Sequence, residues 1–145
     1  MAQNVNPTFV KTPNWGATQI TTGTGSSGVV TIYTGGANGS KIPALMAVSI
    51  GTTSVFDVQW GVSSGGTLFI HGTASVAVSA GSSDTVPTTN LMSNSNVPLA
   101  LDSDGNPYIF LPSSAYTVQA KSPATSSTWA TGSAINLIAP SIGDF

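Results

Sequence analysis

From Ala17 onward, apolar residues recur at every second position or in short runs, and clusters of Gly, Ser, Thr, Asn and Pro interrupt them every eight to twelve residues or roughly so. No other feature constrains the fold as much. A strand sends successive side chains to opposite faces, so this period suits half-buried strands joined by tight turns. No window of helical length keeps a period near 3.6 residues free of Gly, Pro or β-branched runs. The chain is therefore expected to be all-β, a single-domain β-sandwich of about eight to ten short strands. Strands are expected near Ala17–Thr22, Val29–Thr34, Ala44–Ile50, Ser54–Trp60, Thr67–His71, Ala74–Ser79, Leu99–Leu101, Tyr108–Leu111, Tyr116–Ala120 and Ala134–Ile138. In Ser54–Trp60 the alternation assigns Phe56, Val58 and Trp60 to the core and Val55, Asp57 and Gln59 to the other face.

The sharpest turn is Thr34-Gly35-Gly36-Ala37-Asn38-Gly39-Ser40-Lys41-Ile42, whose glycines and Asn-Gly pair supply positive backbone torsions. It is expected to be a hairpin or a corner where the chain passes from one sheet to the other. Pro7 and Pro13 flank Thr8-Phe9-Val10-Lys11 and bias their predecessors toward extended geometry, which suggests an N-terminal arm over residues 1–16. Such an arm can pack on its own domain or reach a neighbour. The sandwich then spans 17–145, with a C-terminal tail at 140–145, and the polar stretch Gly81 to Asn96 is either a contact loop or a solvated excursion with one short edge strand.

Composition narrows the chemistry. The 145 residues include no cysteine, which removes disulfides, zinc-cysteine sites and thiol catalysis. Three lysines face five aspartates, with no Arg or Glu, for a net charge of −2. So few cations cannot neutralise many phosphates, and nucleic acid is not an expected partner. With 40% hydrophobic residues the chain is too apolar for intrinsic disorder. A surface with so little charge gives weak colloidal repulsion, which suits a component of an assembly. No stretch reaches the ~20 apolar residues of a spanning helix, and the start lacks the basic and apolar regions of a signal peptide. No membrane association is expected, and synthesis is expected in a cytoplasm.

Several motifs match in letters and fail on context. Gly23-Thr24-Gly25-Ser26-Ser27-Gly28 fits a dinucleotide-binding pattern, but it opens the β run Val29–Tyr33 where a helix N-terminus is needed. Gly61-Val62-Ser63-Ser64-Gly65 fits a nucleophile elbow, yet a strand-like run follows Ser63 and the single histidine, His71, comes too early. Asp102-Ser103-Asp104-Gly105-Asn106 opens like a calcium loop, but Pro107 and Ser113 occupy the positions that require Gly and Glu, so it reads as a turn. Asn38-Gly39-Ser40 is a glycosylation sequon in form only, and His71 has no second histidine or cysteine to share a metal. Trp15, Trp60 and Trp129 suit core or interface positions, with a sugar-stacking platform as the other reading. No catalytic residue, metal site or cofactor is expected.

Three segments carry a resemblance. Tyr33 through Ile42 resembles the T-A-G-A-N-G-S-x-I turn of small structural proteins encoded by tailed bacteriophages. Leu111-Pro112-Ser113-Ser114-Ala115-Tyr116-Thr117-Val118-Gln119-Ala120 is similar to their L-P-A-G-Y-x-L-x-A strand. Ile135 through Phe145 is similar to their N-V-x-A-x-G-G-D-F ending. Ser113-Ser114 adds a residue and replaces the glycine of the second motif, and Ile142 stands at the first glycine of the third. The resemblance implies a jelly-roll-like β-sandwich on the exterior of a phage head, a non-enzymatic decoration or cement protein that binds the major capsid protein and forms homotrimers. Its interface residues are expected among Phe9, Val10, Trp15, Lys41 and Phe145. The alternatives are a glycan- or receptor-binding module of a head or tail fibre, or a neck or tail structural protein.

Overall fold

The computed structural model describes residues 12–21, 28–50, 56–69, 72–78, 87–93, 97–122 and 133–145. Eleven strands follow in chain order: β1 Thr12–Thr21, β2 Val30–Thr34, β3 Ser40–Ile42, β4 Met46–Ile50, β5 Phe56–Ser64, β6 Thr73–Val78, β7 Thr88–Asn90, β8 Ala100–Leu101, β9 Pro107–Leu111, β10 Tyr116–Lys121 and β11 Ala134–Asp144. The described residues contain no helix. Seven of the described strands form the larger sheet and four, in the order β2-β10-β5-β6, form the smaller one, with every pairing among them antiparallel. The all-β sandwich is as the alternation requires, with eleven strands in place of eight to ten.

β11 is the spine of the larger sheet. One of its edges pairs with β1, and the other pairs first with β4 and then with β3. The register does not slip across the break between β3 and β4, since Lys41 lies opposite Gly143 and Met46, five residues on, lies opposite Ile138, five residues back. Pro43 sits in that break, where a missing N–H removes nothing from a ladder.

The two sheets close on one core. Ile20, Ile135, Leu137 and Ile142 of the larger sheet belong to the same buried cluster as Val58, Trp60, Val118 and Ala120 of the smaller. Trp60 is fully buried, and its indole N–H donates to the Leu91 carbonyl at 2.9 Å, which satisfies the one polar atom it brings inside. Leu91 and Met92 are buried too, so the polar stretch around them supplies a strand, β7, and two core residues.

The expected elements and the structure differ in places. Thr67–His71 is not a strand over its described part. Gly65, Gly66 and Phe69 all have positive φ and fold the chain into turns, leaving Thr67 a single bridge to Ser64. The apolar letters suggested extension, and the glycines before them decided otherwise. Residues 12–16 of the expected arm form the start of β1 and pack on their own domain, one of the two readings open to the arm, and residues 140–144 of the expected tail are the end of β11. Ser40–Ile42 forms a strand, β3, too short to show alternation, and β7 is a short edge strand of the kind one reading of Gly81 to Asn96 holds.

Candidate functional site

The glycine-rich turn is the corner between the sheets: β2 lies in the smaller sheet and β3 in the larger. Ala37 and Asn38 form its tip, Gly39 takes φ of +105°, and the Gly39 N–H donates to the Gly36 carbonyl at 3.1 Å. Gly35 donates to the Tyr116 carbonyl at 3.0 Å, and a Cβ there would lie 2.5 Å from the Ser113 carbonyl oxygen, so only glycine allows this approach.

Asp144 sits beneath the corner. Its carboxylate accepts from Asn14 Nδ2 at 2.6 Å, from the Tyr33 hydroxyl at 2.8 and 2.9 Å, and from Ser40 Oγ at 2.5 Å. Ser40 Oγ in turn accepts the Gly36 N–H at 2.7 Å, and the Phe145 N–H donates to the Gly39 carbonyl at 3.1 Å. One carboxylate thus ties β1, β2, β3 and the end of β11 across both sheets. Burial alone pushes the Asp144 carboxyl up, but the donors Ser40, Tyr33 and Asn14 together outweigh it, so the group ionises below its usual range. Burial raises the Tyr33 hydroxyl, and the hydrogen bond to Asp144 and its charge raise it further. The cluster is a satisfied clamp. Two segments, Tyr33–Ile42 and the end of β11, supply it together with Asn14, and Leu111 pairs with Ser40 beside it.

A second aspartate serves a local purpose. Asp102 Oδ1 accepts the backbone N–H groups of Asn106 at 2.8 Å and Asp104 at 3.0 Å, which closes the turn with Gly105 at φ +81°. The hydrogen bond from Asn106, ahead of the others, holds its carboxyl below the usual range. Oδ1 is turned onto its own turn, as the Asp-Gly-Asn-Pro letters suggest, and Oδ2 faces Lys41 Nζ at 3.7 Å. Ser63 is buried within β5 and its Oγ accepts the Phe69 N–H at 2.9 Å, so it pins the turn that follows. His71, Trp129 and Gly23–Ser27 lie outside the described residues.

The two outer faces of the sandwich differ in chemistry. The smaller sheet turns Thr31, Asp57, Gln59 and Gln119 outward, with Gln119 Nε2 donating to Thr31 Oγ1 at 3.1 Å. The larger sheet turns out Trp15, Ile138, Met46, Val48, Ile50 and Phe110, interleaved with the polar Gln19, Asn136, Thr88 and Asn90. Trp15 is 70% exposed and Phe110 49%, high values for side chains of this size. Trp15 stands opposite a bulge, for between the Asn14–Ile142 and Gly16–Ala139 pairs the single residue Trp15 faces both Pro140 and Ser141. Ser141 takes φ of +59°, and the bulge accommodates Pro140 within a strand.

The expected interface residues distribute as follows. Phe9 and Val10 lie outside the described residues. Trp15 and Lys41 line one depression on the larger sheet's outer face. Phe145 is half-buried, its ring centroid 6.4 Å from that of Phe110 on the same face. Lys41 Nζ lies 3.7 Å from Asp102 and 4.6 Å from the Tyr108 ring centre, so it is held down along the surface. Tyr108 and Phe110 were not among the expected residues, although the alternation in Pro107–Leu111 already sends both away from buried Ile109 and Leu111. Trp60 is core and Trp15 is surface. Among the described residues no helix is long and apolar enough to cross a membrane, and no group of three or more metal-ligating side chains forms. No family model, curated protein or solved structure matches the chain.

Proposed function

We propose that the chain is a non-enzymatic structural protein of a tailed-phage virion, a decoration protein that holds the exterior of the head by adhesion. The carrying observation is the exposure of two large aromatic side chains, Trp15 and Phe110, on the outer face of the larger sheet, where they stand among the polar Gln19, Asn136, Thr88 and Asn90. A domain that meets solvent all round gains nothing from an exposed Trp15 and Phe110, whereas a domain seated on a neighbour gains on the order of 1.5 to 3 kcal/mol for each such side chain it buries. The particular partner in this reading, the major capsid protein, comes from the three-segment resemblance, as do the homotrimer and the jelly-roll connectivity.

The protein inventory of purified virions tests the reading. Presence at a copy number comparable to the capsid protein's supports decoration, and absence from the particle sinks it. Within that framework, Trp15→Ser and Phe110→Ser should weaken binding to heads lacking the protein while leaving the folded domain intact. Lys41→Ala should matter less, because Lys41 is already paired with Asp102.

The second reading, a glycan-binding module of a fibre, is favoured by one observation, the exposed indole of Trp15 beside Asn14 in an open depression. Quenching of Trp15 fluorescence by host polysaccharide, absent in Trp15→Phe, would move the assignment there.

A further inference from the structure

The corner between the sheets contains Asn38-Gly39, the chain's single Asn-Gly step. Such a step is chemically labile. The glycine has no Cβ to obstruct its own nitrogen, so that nitrogen can attack the asparagine Cγ and close a succinimide ring. The Gly39 nitrogen gives its proton to hydroxide, the bond from Cγ to the side-chain nitrogen breaks, and that nitrogen takes up a proton and departs as ammonia. Water then opens the ring at either carbonyl. Opening at Cγ leaves aspartate at position 38, and opening at the backbone carbonyl leaves isoaspartate, which carries the main chain through Cβ.

The folded corner withholds that nitrogen. Asn38 is exposed at the tip, but Gly39 is buried, and its N–H donates to the Gly36 carbonyl at 3.1 Å. A succinimide nitrogen carries no hydrogen, so the ring cannot form while that bond stands. Gly36 is itself held, since its N–H donates at 2.7 Å to Ser40 Oγ, which donates to Asp144. The other side of Gly39 is fixed as well. Its carbonyl accepts the Phe145 N–H at 3.1 Å, and a Cβ on it would meet the Leu111 carbonyl oxygen at 3.1 Å and the Phe110 ring at 3.4 Å. Ser40, the next residue, is fully buried and paired with both Leu111 and Asp144. The carboxylate that ties the sheets together thus also fixes the attacking nitrogen.

We propose that Asn38-Gly39 is a latent site of self-modification by deamidation, and that the Asp144 clamp is its latch. With the clamp closed, residue 38 stays asparagine. When the corner opens, the step reacts, and the change is permanent. Isoaspartate adds a main-chain carbon to the turn that places Gly39 and Ser40, so a molecule that has opened and reacted this way no longer closes the clamp. The inference does not depend on the virion reading.

The test incubates the full-length protein at mildly alkaline pH, folded and in urea, and follows the peptide spanning residue 38 by mass spectrometry, with isoaspartate and aspartate separated chromatographically. Conversion is expected in urea and should be at least about tenfold slower in the folded chain, whose rate is scaled by the fraction of time the corner is open. Hydrogen exchange at the Gly39 amide should be slowed by a similar factor. Asp144→Ala should speed conversion several-fold, and so should Tyr33→Phe, a milder loosening that keeps the test valid if the first variant does not fold. Ser63→Ala loosens the turn after β5 and not the corner, so it should leave the rate unchanged. Equal rates in the folded chain and in urea overturn the proposal, as does no conversion in urea. A folded Tyr33→Phe that reacts no faster than the natural chain overturns the latch. Equal acceleration by Ser63→Ala does so too, because it would assign the protection to global unfolding.

Discussion

Asp144 and Asp102 have similar chemistry and opposite reach. Each accepts several hydrogen bonds, and each is held below the usual carboxylate range by its donors. The hydrogen-bond donors to Asp102 are two and four residues away and close its own turn, and its one distant partner is Lys41 in a surface ion pair. The side chains that donate to Asp144 are 104, 111 and 130 residues away, so that carboxylate joins elements that otherwise have no local reason to meet. The lesson concerns cost. Ordering a short turn loses little entropy, whereas closing loops of a hundred residues must be offset by bonds that form only when both sheets are in place.

The largest expected effect comes from Asp144→Ala, which leaves the hydroxyls of Tyr33 and Ser40 and the amide of Asn14 without their acceptor. Urea denaturation should show a loss of about 3 kcal/mol, given 1.5 to 3 for a charged hydrogen bond and partial replacement by water at a half-buried site. If Asp102→Ala lowers the midpoint as far, the contrast between the two residues is wrong. Gly35→Ala comes next. Its new methyl must displace the Ser113 carbonyl, and about 2 kcal/mol should be lost although no bond to Asp144 is touched. Tyr33→Phe removes one donor and should cost about 1 kcal/mol.

The pH dependence sharpens the same contrast. The folded pKa of Asp144 lies below its unfolded value, so its contribution is whole above about pH 4 and is lost as pH falls through the folded pKa. The folded pKa of Tyr33 lies above its unfolded value, so its contribution is whole below about pH 10 and is lost as pH rises through the folded pKa. Stability of Asp144→Asn should therefore fall less steeply at the acid edge than that of the natural chain, and Tyr33→Phe should flatten the alkaline edge. The smallest effect is that of Asp102→Ala, visible as faster amide exchange at Asp104 and Asn106 with the global midpoint nearly unchanged.

Local features were legible in the letters. The strand period, the Asp102 turn and the corner at Gly35–Gly39 all follow from residues within reach of one another, and Val58 and Trp60 fell on the core face where alternation put them. The C-terminal Gly143-Asp144 pair was visible only as part of a resemblance. Nothing near Asp144 in sequence indicates that its partners are Asn14, Tyr33 and Ser40, because chain distance conceals contacts made by the pairing of β1, β3 and β11. The outer face of the larger sheet was hidden for a related reason. Trp15, Ile138 and Phe110 each look like ordinary alternation in their own strand, and only the cross-strand register assembles them into one surface.

The position of β11 bears on how the molecule can be made. It leaves the ribosome after the ten other described strands and is the spine of the larger sheet, with β1, β3 and β4 all paired to it. Those three strands emerge long before their partner and must wait with their edges unpaired. Folding of the larger sheet is therefore expected to begin only as Ala134–Asp144 becomes free, and to be slow, since its central pairings are non-local. During that interval the protection against wrong strand pairing has to come from elsewhere, such as chaperones or the prolines and glycines that interrupt the waiting strands.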